Sequence, residues 1–189
     1  MVSFWVNLVG FTCLRWVFMA ENTINEREIL IRPISTADNS SIEQVIRTVL
    51  IEYGANKPGL AWQDPELCNL SQAYQAANTE YWVAESNGVI VGGCGIGQLQ
   101  PNPIPLVCEL QKMYLLPESR GKGIGQLLLK TALAFATLHY RWCYLESLKT
   151  MVEAERLYRQ AGFTELPLPL VLTAHGACDR WYIVDMHNA

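Results

Sequence analysis

The sequence has no CxxC pair, no repeated His or Cys spacing, no internal repeat and no low-complexity tract. It also lacks an excess of positive charge, with 14 Lys and Arg against 18 Asp and Glu. The charge balance of −4 argues against a nucleic-acid binder, which would carry a basic face. The six cysteines, at 13, 68, 94, 108, 143 and 178, are scattered, several of them inside apolar runs. That pattern fits buried reduced thiols in a cytoplasmic protein better than a disulfide framework or a zinc site, and no metal is expected. The nucleotide-binding motif GxxxxGK followed by Ser or Thr is absent, and so is a GxGxxG turn opening an early βαβ unit.

What remains is 189 residues, half of them hydrophobic, enough for one domain with a real core. The first twenty, MVSFWVNLVGFTCLRWVFMA, are apolar and aromatic with one charge, Arg15. They lack the early cations of a secretory signal, and Arg15 counts against a membrane span. Translation starting at Met19 would leave a polar start. Residues 1–25 are therefore expected to be an accessory extension, and residues 26–189 the folded domain.

From Glu28 the pattern is globular. EILIRPI (28–34) reads as a strand. Ser40 with Glu43 has capping-box spacing before a helical run ending near Gly54. DPELCNLSQAYQAA (64–77) reads as a second helix. Asn87-Gly88 between apolar runs predicts a hairpin of strands near 80–86 and 89–98. Glycines at 92, 93, 95 and 97 imply that another element packs closely on the second of these strands. In LVCELQKMYLLP (106–117) the inward set Leu110, Met113, Leu115 is spaced three then two, which predicts a β-bulge at Gln111 or Lys112. A helix to about His139, a strand over 141–147, a helix over 152–162 and strands at FTEL and 179–186 complete an α+β order around one sheet.

The stretch LPESRGKGIGQLLLK (116–130) places Gly121, Gly123 and Gly125 between a strand and a Leu-rich helix, interleaved with Arg120 and Lys122. A helix start has unpaired N–H groups and partial positive charge, and glycine lets an anion approach the backbone. Two cations beside it suit a diphosphate. An ordinary loop with helix-terminal glycines is the alternative on these residues alone.

PESRGKGIGQLLL resembles the acyl-CoA pyrophosphate loop of the GNAT superfamily of N-acetyltransferases, Arg/Gln-x-x-Gly-x-Gly/Ala, through Arg120, Gly123 and Gly125. A second block, AERLYRQAGF, is similar to that superfamily's Ala-x-x-x-Tyr-x-x-x-Gly-Phe through Ala154, Tyr158, Gly162 and Phe163. The likeness spans about residues 28 to 186. The Asn often found two positions before the alanine is Val152 here. The resemblance implies one α+β domain, with a mixed, mostly antiparallel sheet of about seven strands and about four helices. It implies acetyl-CoA as cosubstrate, held by Arg120, Gly121, Lys122, Gly123, Ile124 and Gly125, with backbone at Met113, Tyr114 and Leu115 pairing the pantetheine arm. It also implies Tyr158 as general acid. Glu109 is the first candidate base and Glu146 the second, while Tyr53, Trp62 and His175 are expected near the acceptor. The expected reaction acetylates a primary amine of a small molecule or amino acid. A protein or peptide amine, or a non-catalytic acyl-CoA sensor, are the alternatives. No nucleic-acid or membrane partner is expected, and a homodimer is left open.

Overall fold

The computed structural model describes residues 29–100 and 104–187. The apolar extension expected at 1–25 lies outside the described residues. Seven strands form one sheet: β1 (Ile29–Pro33), β2 (Glu80–Ser86), β3 (Val89–Gln98), β4 (Val107–Leu115), β5 (Trp142–Ser147), β6 (Thr164–Leu166) and β7 (Arg180–Asp185), in the order β1-β2-β3-β4-β5-β7-β6. Every pairing is antiparallel except β4 with β5. Helices α1 (Asn39–Glu52), α2 (Leu70–Ala73), α3 (Ile124–Thr137) and α4 (Val152–Gln160) accompany it.

Alternation along the strands makes three layers. On β2, Trp82 and Ala84 join a core with Leu128, Leu129 and Ala132 of α3 and Tyr158 of α4. Tyr81 and Val83, pointing the other way, pack with Ile42, Ile46 and Leu50 of α1. The hairpin turns at Asn87 and Gly88, with φ of 51° and 80°, as a type I′ turn requires.

Two local readings differ from the structure. Ser40 lies inside the first turn of α1, and Glu43 pairs with Arg47 one turn on. The reciprocal contact is made earlier, where the Ser35 N–H and hydroxyl both donate to Asp38 (2.8 and 2.7 Å). The forked Arg32 guanidinium fixes the same carboxylate, and its hydrogen bonds hold Asp38 well below the usual carboxylate range. The helix expected over 64–77 is broken into a 3-10 segment, Pro65–Asn69, and the single turn of α2. Leu67, Leu70 and Tyr74 are buried there at helical spacing, but Asn69, at φ −148° and ψ 51°, interrupts the helical backbone between them.

The bulge falls where the spacing predicted it. Gly93 faces Tyr114 and Gly95 faces Gln111, so Cys94 stands against two residues of β4. Lys112 takes the left-handed conformation at φ 50°, which costs a non-glycine residue roughly 1–2 kcal/mol. The Tyr81 hydroxyl offsets this by donating to the Lys112 carbonyl (3.0 Å). The glycines of β3 make room for that brace. A Cβ at Gly93 would stand 2.7 Å from the Tyr81 ring, and one at Gly95 would stand 2.6 Å from Tyr74.

Candidate functional site

β4 and β5 pair only as far as Glu109 and Tyr144. Beyond that point the two parallel strands have separated, and residues 110–115 keep β3 as their one sheet neighbour among the described residues. A cleft of about 390 Å³ opens there, between β4 and the facing sides of α3 and α4. Met113, Tyr114 and Leu115 form one wall, Gly121, Gly123 and Gly125 one end, and Ala154, Leu157 and Tyr158 the opposite wall.

Local conformation explains the glycine end. Gly121 and Gly123 sit at φ of 71° and 80°, and Gly123 is the residue from which α3 starts. The helix's first carbonyl acceptor is that of Gly123, bonded by the Leu127 N–H (3.0 Å), so the N–H groups before Leu127 point out of the helix start. A Cβ at Gly121 or Gly123 would meet no protein atom within 4 Å, so their surroundings are open space. Gly125 differs. Its Cβ would touch Leu157 Cδ2 at 3.4 Å, where α3 crosses α4.

The two cations of the loop are turned back onto the protein. Arg120 forks onto Glu52 with two 2.7 Å bonds, donates to the Leu115 carbonyl (3.0 Å) and lies over the Tyr53 ring at 5.5 Å. Lys122 donates to the Glu118 carbonyl and does not line the cleft. The Ile124 side chain is buried in the core and does not line the cleft. The cation that lines the cleft without an ion pair among the described residues is Arg156 of α4, which the sequence reading passed over. Its signal was helical spacing. Glu153, Arg156 and Gln160 stand three and four apart on one face of α4, and all three line the cleft.

A second cavity, about 60 Å³, lies on the far side of the splayed strands, lined by Glu109, Gln111, Lys112, Glu146, His175 and Cys178 among others. Tyr114 and Met151 line both cavities, so the two are neighbours. Oxygens of Glu109 and Glu146 and a ring nitrogen of His175 come within 4.8 Å of one another. Glu109 is 7% exposed, and burial raises its carboxyl above the usual range, against a smaller lowering by the Gln111 amide donated to it (2.7 Å). Glu146 accepts from Tyr144 (2.8 Å) and from Thr173 (2.7 Å). His175 Nε2 is bound to Asp64 (3.0 Å), a bond that raises the imidazole. Asp64 also takes the buried Lys112 ammonium (2.8 Å), which Glu66 shares (2.9 Å). Each partner of these buried charges needs the other, because an uncompensated one costs about 3–5 kcal/mol.

The sequence-derived candidates therefore divide. Glu109, Glu146 and His175 gather around the small cavity, and Tyr158 stands in the larger one. Tyr158 is 6% exposed, and burial raises its phenol above the ordinary tyrosine value. Tyr53 lines the larger cleft beside Arg120, away from His175. Trp62 lines neither cavity and lies under the Arg47 guanidinium at 4.7 Å. A separate groove of about 510 Å³, past Gln126, Leu157 and Gln160, offers Lys130 as its one ionisable group and so no acid–base pair.

Known proteins carry the same architecture. Residues 77–165 match the family model described as the acetyltransferase (GNAT) domain. The chain is 39% identical to an uncharacterised N-acetyltransferase of Escherichia coli, YjgM, over 84% of its own length and 95% of that protein's. A GNAT-family acetyltransferase of Staphylococcus aureus superposes with a TM-score of 0.71 at 21% identity, covering 84% of this chain and 99% of that one. An acetyltransferase of Salmonella typhimurium, yncA, solved with its cofactor acetyl-CoA, gives 0.66 at 22% identity, covering 84% and 94%. Sheet order, the glycine-led start of α3 and the extent of likeness to YjgM agree, and the chain belongs to the GNAT acetyltransferase family.

Proposed function

We propose that this protein moves an acetyl group from acetyl-CoA to the primary amine of a small molecule or amino acid by direct attack. The observation that carries the reading is a pair of neighbouring cavities that share Tyr114 and Met151 as lining. One is long and ends in a helix start, as a diphosphate with a pantetheine arm needs. The other is small and holds a buried carboxylate, as an amine needs. The acetyl-CoA bound to the Salmonella protein supports the same identity for the first ligand.

In this reading the helix start of α3 and the left-handed glycines receive the diphosphate, and the edge of β4 at Met113–Leu115 that β5 no longer covers faces the pantetheine amides. A free alkyl amine, with a pKa of about 10.4, is mostly protonated at neutral pH. Glu109 takes its proton, directly or through water, and burial makes that carboxylate a stronger base than an exposed one. The amine nitrogen bonds to the thioester carbon, the C–S bond breaks, and the Tyr158 hydroxyl faces the departing sulfur. A cavity of about 60 Å³ suits the end of a small acceptor.

Thiol release measured over a panel of amines and amino acids tests this, with Glu109→Gln as companion. Turnover on a small amine is expected, with kcat/KM rising as pH rises through the Glu109 pKa and that limb lost in the variant. Acetyl-CoA binding without turnover on any amine would overturn it in favour of a sensor. Arg156 gives a further expectation. With Arg120 and Lys122 engaged elsewhere, Arg156→Gln should weaken CoA about tenfold, as for the loss of one charge-assisted phosphate contact. Calorimetry at two salt concentrations checks this, and the variant should show the weaker salt dependence.

A further inference from the structure

We infer that Gln111 is a positioning residue for Glu109, clamped between Tyr74 and a glycine of β3 so that it presents one fixed donor to the carboxylate. The inference rests on Glu109 being the base. Gln111 Nε2 donates to Glu109 Oε2 (2.7 Å), and its Oε1 accepts from the Tyr74 hydroxyl (2.9 Å). The tyrosine donates here because the atom it meets is the amide oxygen, which can only accept, so the chain has one polarity: Tyr74 to Gln111 to Glu109. No other hydrogen bond reaches the Glu109 carboxylate among the described residues, which leaves its second oxygen for a substrate.

The fold invests in this chain. The Gln111 side chain lies directly over Gly97, where a Cβ would stand 2.3 Å from its Oε1. Tyr74 fits because Gly95 has no side chain either, and its ring packs at 5.2 Å from Tyr81, the ring that braces the bulge. Gln111 and Glu109 stand two apart in the regular register before the bulge, so they share one face of β4, and the bulge at Lys112 follows immediately. Two glycines in a buried strand interior thus make room for one amide and its anchor.

The groups facing Glu109 are Glu146, Tyr144 and Cys143 of β5, His175 and Cys178 of the segment before β7, Lys112 of the bulge and Tyr74 itself. Substituting Gln111 leaves all of them in place. A donor to a carboxylate favours its charged form, so removing it raises the proton affinity of Glu109. In Gln111→Met, which keeps length and volume, the acid limb of kcat/KM should move up by about one pH unit and the plateau of kcat fall about tenfold, with KM for acetyl-CoA within about twofold. Tyr74→Phe, which loosens the amide without removing it, should give a smaller shift in the same direction. The double variant should match Gln111→Met alone, because the chain acts as a unit. Titration of the ¹³C-labelled glutamate carboxyls, with the 109 signal identified by its loss in Glu109→Gln, reads the same shift without turnover. If Glu109→Gln removes the limb but Gln111→Met leaves limb and titration unmoved, the positioning role falls and the base stands. If Glu109→Gln leaves the limb intact, both fall. Should Gln111→Met not fold, an unmoved limb in Tyr74→Phe overturns the inference by itself.

Discussion

Replacing Gly123 with valine is expected to raise the dissociation constant for CoA at least about 100-fold while the protein remains folded. Two costs are combined in that substitution, and they separate. Gly123 sits at φ 80°, and a β-branched residue there strains the backbone by roughly 1–3 kcal/mol. That cost falls on folding and appears as a Tm lower by several degrees. The second cost falls on the ligand. A Cβ at 123 would touch no protein atom within 4 Å, so the valine side chain occupies only the space in front of the α3 start. Asparagine tolerates the left-handed region, so Gly123→Asn should recover most of the stability and little of the affinity. Acetyl-pantetheine, which lacks the diphosphate, should be used equally poorly by wild type and both variants. Gly125→Ala is the contrast, since its Cβ meets Leu157 at an ordinary 3.4 Å and should leave binding within a few-fold. Unchanged CoA affinity in Gly123→Val would remove the main-chain cradle from the reading.

The glycine turn was legible from sequence because everything in it is local: a strand, two left-handed positions and a helix start within a dozen residues. The bulge was legible for the same reason, as a break in an alternating pattern carried by three neighbouring side chains. The fates of the cations were not legible. Arg120 is paired by Glu52 of α1, 68 residues away, and no spacing rule reports that pairing. Glu109 and Glu146 were recognisable as candidates because they lie on adjacent strands, but Asp64 and Lys112 join them only through the packing of a 3-10 segment against the bulge. The sequence expectation of a longer helix over 64–77 hid that contact. Gln111 was visible only as an irregular position. What it touches depends on two glycines of β3 and on Tyr74, the residue that follows α2, which only the tertiary packing brings together.

Removing the Tyr158 hydroxyl should lower kcat about 100-fold and leave acetyl-CoA binding within about twofold, although the pKa values argue at first against so large an effect. Burial raises the Tyr158 phenol above its ordinary value of about 10, whereas a free thiol sits near about 8.5. In water such a phenol would hardly protonate such a thiolate. The cleft alters both partners alike, because a low-dielectric surrounding disfavours any anion. The same direction holds elsewhere in the protein, where burial pushes the Cys178 thiol up to about 12. In the proposed mechanism a CoA sulfur lies between Tyr158 and the wall of β4, and there its thiolate would be basic enough to draw the phenol's hydrogen bond and then its proton. The sign of the pH dependence follows. Tyr158 acts while protonated, so raising its pKa keeps it competent through the alkaline assay range, and loss of activity begins only well above about pH 10. Tyr158→Phe should therefore lower the plateau of kcat without moving either limb below that pH. An oxygen-ester analogue of acetyl-CoA, whose leaving group is more basic, should be more dependent on the hydroxyl and lose more than the thioester does. Equal losses on the two esters would mean that the hydroxyl orients the acyl chain and donates no proton.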